Sequence, residues 1–468
     1  QVEDITADEE AEEEADDAVN EQAEEGQPAE ADAADGQAEE EQTVEESTDA
    51  EEAANEQAAE TQTEEGQTEE AGEAAEEATA EEATTEEQAI TATYLTAEDI
   101  TVNETYHDNV DGGHAIAAEG EDAAYSNIAV TKSGDSSGDE ADFYGENAAI
   151  YASDGATLDL AGILVETDGT HANGVFSYGS GTTVNISDSV IYTEGNCSGG
   201  LMTTGGGTMN AENLTIHTTG NSSAAIRSDR GGGIVTVTGG SYQADGKGSP
   251  AIYSTADITV NDALLTSTSA QGVVIEGRNS VTLNNVTLVA DNNSKNSDKS
   301  PWYQAVMIYQ SMSGDAAEGL SYFTMTGGSL TNANGDIFFV NNTSTEIALT
   351  GVAITNNGDG VFLRAAAAGW GRDGQNGGHV TLTATDQSIT GDLLVDEIYS
   401  LDLALTGTSD FTGAVNPDGE EGEVNLVLTD EAVWTLTADS YVTSLEAADG
   451  AIDLNGYTLY VSGEAYAG

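Results

Sequence analysis

Positive charge is nearly missing from this chain. Nine Lys and Arg stand against 87 Asp and Glu among 468 residues, a formal net charge of −78. Such a surface cannot displace counterions from phosphate, which excludes nucleic acid as a partner. The same shortage argues against attachment to an anionic membrane. Cysteine is nearly missing too. Cys197 alone excludes an intrachain disulfide and argues against a structural zinc held by several cysteines. No run of 18 apolar residues occurs, so no membrane insertion is expected. Proline is limited to four residues while glycine reaches 54, which together with abundant Thr and Asn points to a turn-rich β protein.

The acids are unevenly spread. Residues 1–89 hold 37 of them and no Lys or Arg, in strings such as EEGQPAEADAADGQAEEEQ. Ala, Glu and Gln favour helix, but no apolar face recurs and like charges crowd every turn. With so little to bury, this segment cannot offset the entropy of ordering. A disordered acidic spacer is expected over 1–89.

From about residue 94 a unit repeats: TLDLAGILVETDG at 157–169, TVNISDSVIYTEG at 183–195, TMNAENLTIHTTG at 208–220 and SVTLNNVTLVADN at 280–292. Its first apolar anchors are Leu158, Val184, Met209, Val235, Ile258 and Val281, spaced 26, 25, 26, 23 and 23 residues apart. Phe323, Ile347 and Val380 continue the series, with insertions. A second apolar run lies between copies, in the pairs Ala149-Ile150, Val175-Phe176, Leu201-Met202, Ala225-Ile226, Ala251-Ile252, Val274-Ile275, Met307-Ile308 and Phe362-Leu363. Period-two alternation in short strands, repeated about every two dozen residues, predicts a β-solenoid over 90–468. One coil cannot bury its own apolar residues; stacking coils ~4.8 Å apart turns each anchor into an internal ladder. Roughly a dozen coils with right-handed connections are expected, with the end segments 94–130 and 440–468 as covers.

This pattern resembles the bacterial right-handed parallel β-helix, or pectin-lyase-like, family. The final stretch VWTLTADSYVTSLEAADGAIDLNGYTLYV at 433–461 is similar to the closing coils of large secreted members. The resemblance implies a secreted or cell-surface protein, and it makes polysaccharide lyase or glycoside hydrolase the enzyme reading. Inverting hydrolysis needs paired acids at a fixed separation. In the family that is an Asp pair, a Gly-His-Gly and an Arg-x-Lys; here the only Asp-Asp pair is Asp16-Asp17, in the acidic segment, and the other two motifs do not occur. A lyase acting on acidic pectin needs a cationic groove, for which nine scattered basic residues are a poor supply. The expected function is therefore non-enzymatic and adhesin-like: binding of a glycan or protein through one face, with a carbohydrate-active enzyme as the alternative.

Outward positions suggest where. Thr236, Thr259, Thr282, Thr324 and Thr381 read as one column, and Thr238, Asn261, Asn284, Thr326, Thr350 and Thr383 as the next, both suited to ladders on a β surface. A third column reads Tyr151, Ser177, Thr203, Arg227, Tyr253, Glu276, Tyr309 and Arg364. Insertions near 311–321 and 365–378 enter at one corner beside it, and another, at 291–304, carries Trp302 and Tyr303 at a second corner. Long loops on a repeat scaffold often carry binding. Tyr309, Arg364, Trp370 and Arg372 are thus the candidate ligand-binding residues, combining flat rings with polar tips. No catalytic residue, metal site or cofactor is expected beyond weak Ca²⁺ capture by exposed acids, since no Ca²⁺-loop motif occurs.

Overall fold

The computed structural model describes residues 94–468 except Asn296, Glu420, Glu421 and Gly468; the spacer expected at 1–89 lies outside the described residues. The described chain is a parallel β-solenoid. One coil shows how the sequence winds it. In Thr183–Ser187, Val184 and Ile186 point inward and are buried, while Asn185 points out. Asp188 then takes a left-handed conformation (φ 47°) and turns the chain into Val190–Thr193. A second corner leads into Leu201–Thr204, and two glycines, Gly205 and Gly206, return it to the next coil.

Stacked coils form a broad sheet of 19 strands, two per turn in most coils, and a narrow sheet of eleven, one per turn. The anchors Leu158, Val184, Met209, Val235, Ile258, Val281, Phe323 and Ile347 are register partners in unbroken succession. All are at most 1% exposed. Burying each such side chain contributes roughly 1.5–3 kcal/mol, but only because the coils above and below supply its neighbours. The ladder continues through Leu382 rather than Val380, which pairs with Thr345. Thr381 and Thr383 accordingly move two places, opposite Glu346 and Ala348.

The bend inside the broad sheet explains where Asn, Asp and Gly recur. Asn127, Gly162, Asp188, Asn213, Gly239, Asp262 and Asn285 all have φ between 47° and 70°. Glycine enters that region freely, and Asn and Asp do so more readily than most other residues. The side chains reinforce the column: Asn213 Nδ2 donates to Asp188 Oδ1 at 2.7 Å, and Asn285 Nδ2 to Asp262 Oδ1 at 2.7 Å.

The two ends differ from each other. Segment 94–130 is already part of the winding, with Glu104–Asp108 paired in parallel to Ile128–Lys132. At the far end Glu464–Ala465 folds back antiparallel onto Tyr460 and Val461. No helix among the described residues is long and apolar enough to cross a membrane.

Candidate functional site

On the narrow sheet the expected third column divides. Tyr151, Phe176, Met202, Arg227, Tyr253, Val274, Met307, Phe339 and Arg364 are the true register partners, facing outward. Glu276 and Tyr309 belong to the next outward column, two residues on. Ser177 and Thr203 point inward and are fully buried. The strand Asp336–Asn341, which the paired-run reading passes over, fills the coil between Tyr309 and Arg364.

Three insertions close over this face. Trp370, carried by the 366–377 loop, meets Tyr309 edge-on with ring centroids 4.9 Å apart. Trp302 arrives from the 291–303 loop against Phe339 at 5.4 Å. It also lies under the Arg364 guanidinium, 4.3 Å from its ring centroid. With Val274 and Met307 these side chains make a small apolar cluster outside the solenoid core. Arg364 donates twice to Asp336, Nε to Oδ2 at 2.7 Å and Nη2 to Oδ1 at 3.1 Å. Arg372 stays exposed on the loop. Of the four candidates, Tyr309 and Trp370 touch, Arg364 joins them through Trp302, and Arg372 projects beyond the cluster.

The acids on this face are buried and hydrogen-bonded. The Glu276 carboxylate, 2% exposed, accepts hydrogen bonds from Tyr253, from Tyr309 at 2.9 Å and from Ser311. Burial holds both tyrosine hydroxyls far above their ordinary range, with the Glu276 charge adding to it. Asp229 binds Arg227 at 2.9 Å, yet burial outweighs the guanidinium and lifts its carboxyl to about 6. Burial likewise raises Asp336 to about 7 despite Arg364.

The cleft itself opens on the other sheet. About 720 Å³ lie beside the bend of the broad sheet, lined by Tyr125, Asp159, Asn185, Asn210, Glu212 and Thr236 among others. Tyr125 pairs with the inward Leu160 and packs on the core at the first of these coils; the others occupy outward positions on successive coils, and their amides are chained: Asn185 Nδ2 donates to Asp159 Oδ1 at 2.8 Å and Asn210 Nδ2 to Asn185 Oδ1 at 2.9 Å. Each amide keeps a second N–H. Tyr125 is fixed by an edge contact with Tyr106 at 5.5 Å. No Lys or Arg lines this space. The surface ladders expected from sequence begin at Thr236 and Thr238 and stop short of the coils before them; the signal for their extension is the Asp159–Asn185–Asn210 alignment, visible in TLDLA, TVNIS and TMNAE. Comparison of the chain with protein-family models, with curated proteins and with solved structures finds no match.

Proposed function

We propose that this is a non-enzymatic β-helix, displayed on the bacterial surface or secreted, that binds a neutral, hydroxyl-rich glycan along the broad-sheet cleft in the manner of an adhesin. The observation that carries the reading is the cleft lining. Amide donors and carboxylate and hydroxyl acceptors recur at the coil spacing, with the Tyr125 ring at one end, as an extended sugar chain requires. Its two carboxylates and lack of cations select against uronates and other polyanions. A glycan array followed by calorimetry tests it: neutral polysaccharides bind, uronate polymers do not, and Glu212→Ala or Tyr125→Ala weakens binding at least tenfold. Undiminished binding in both variants overturns the cleft assignment. If Trp370→Ala abolishes binding instead, the ligand sits on the loop edge of the narrow sheet.

The alternative is a carbohydrate-active enzyme, favoured by the raised carboxyls of Asp229 and Asp336 on the narrow sheet. Release of reducing ends or unsaturated uronates from a polysaccharide panel, lost in Asp229→Asn, would replace the binding reading.

A further inference from the structure

One column of the corner that leads into the narrow sheet brings unlike side chains together. Gly169, Gly195, Gly220 and Gly246 stack there so tightly that a Cβ on any of the last three would lie 1.8 Å from the carbonyl oxygen of the glycine before it. Two residues after each glycine the chain takes a left-handed turn, at His171, Cys197, Ser222 and Gly248 (φ 58°, 55°, 54° and 66°). His171 N–H donates to Asn196 O at 2.9 Å and Cys197 N–H to Asn221 O at 2.8 Å, so equivalent positions are locked one coil apart. The winding therefore seats His171 directly beside Cys197. Asp142 reaches both from the short helix Asp139–Phe143, which is inserted in the second coil between Ala123–Lys132 and Ile150–Ser153.

Donor atoms from Asp142, His171 and Cys197 all lie within 4.8 Å of one another. The ring is already oriented. His171 Nδ1 donates to Ser136 O at 2.9 Å, while Nε2 faces Asp142 Oδ1 at 2.8 Å. A backbone carbonyl on the rear nitrogen is the usual partner of a metal-bound imidazole, because it fixes the tautomer that presents the other lone pair. A catalytic thiol relay would differ: the carboxylate would hold the rear nitrogen and leave the front one for sulfur. Here the carboxylate sits on the front nitrogen.

We propose that Asp142, His171 and Cys197 form a binding site for a divalent cation of the zinc class. The sulfur and nitrogen donors select zinc or cobalt over Ca²⁺ and Mg²⁺, which take oxygen. Binding releases two protons to solvent, the one shared between His171 and Asp142 and the one on the Cys197 thiol. The ion's two charges balance one carboxylate and one thiolate, with neutral imidazole completing three protein ligands. Arg227 is held by Asp229 at 2.9 Å. Asp142 keeps about a third of its side chain exposed, so the fourth position faces solvent, as in zinc sites that bind water.

Two measurements on the unmodified chain test this, in excess Ca²⁺ and Mg²⁺ to occupy the surface acids. Titration with Co²⁺ gives a thiolate-to-metal charge-transfer band that saturates at one equivalent and is bleached by Zn²⁺. Zn²⁺ slows alkylation of Cys197 by iodoacetamide at least tenfold. Cys197→Ser removes the band, and His171→Gln or Asp142→Asn weakens Co²⁺ binding at least tenfold. A cobalt spectrum without the thiolate band, or alkylation at the same rate with and without Zn²⁺, overturns the proposal; either result leaves glycan binding at the distant cleft untouched.

Discussion

Arg364 is the most informative residue to remove, because its partner is a fully buried acid. Asp336 has no exposed surface and takes both its ion-pair hydrogen bonds from Arg364, with Asp359 Oδ2 a further 4.0 Å from the guanidinium. Burial is the largest influence on Asp336 and raises its carboxyl from 3.8 to about 7; Arg364 pulls it down, and Asp359 pushes it up. Between those values the folded state binds more protons than the unfolded one, so this group's contribution to stability falls as pH rises through the interval. In Arg364→Ala the restraining charge is gone and the fall continues beyond pH 7. At pH 5 the carboxyl is neutral in both proteins, and the variant loses the guanidinium hydrogen bonds and the stack on Trp302, about 1–2 kcal/mol. At pH 8 it also exposes an uncompensated buried charge, and the loss grows to roughly 3–5 kcal/mol. Urea unfolding of wild type and variant at both pH values isolates the difference, since the response of the other acids is common to both. In an Asp336→Asn background the pH dependence of the Arg364→Ala effect disappears. An equal loss at pH 5 and pH 8 would refute the reasoning.

Two further substitutions probe the winding. Phe338 is fully buried between Phe323 and Phe362, with centroids at 5.4 and 5.6 Å, so Phe338→Ala lowers stability by about 3–5 kcal/mol in urea unfolding. Amide exchange should accelerate first in the coils that flank it, as nearest-neighbour coupling requires. Asn213 holds φ 54° and bonds Asp188, so Asn213→Val costs about 1–2 kcal/mol through backbone strain, while Asn213→Gly stays within about 1 kcal/mol of wild type. Equal effects from Val and Gly would show that the left-handed bend is not what Asn213 supplies.

The interior of this protein was legible because one rule governs it. An inward residue must be apolar, it recurs once per coil, and its neighbours are the same position in adjacent coils; eight anchors from Leu158 to Ile347 follow from that alone. The outer faces obey no such rule. Whether an outward residue meets its counterpart depends on an unbroken count between coils, and each insertion interrupts it. The count slipped by one at Phe176 and Met202, where two adjacent apolar residues left the inward one undecided. The outward one of each pair is apolar too, because it packs with Tyr151 and Ala148 in a second small cluster. At Val380 it slipped by two, since Val380, Leu382 and Ala384 alternate equally well across three inward positions. The loop residues were harder still. Trp302 and Trp370 enter from different corners and 68 positions apart in sequence, yet both pack on the same small cluster, because Met307 and Phe339 expose an apolar patch on the narrow sheet that water would otherwise cover. No periodicity encodes that meeting. What does encode it is the outward placement of large apolar side chains in a column otherwise holding Arg and Tyr, a signal that becomes readable only once the register of every coil is known.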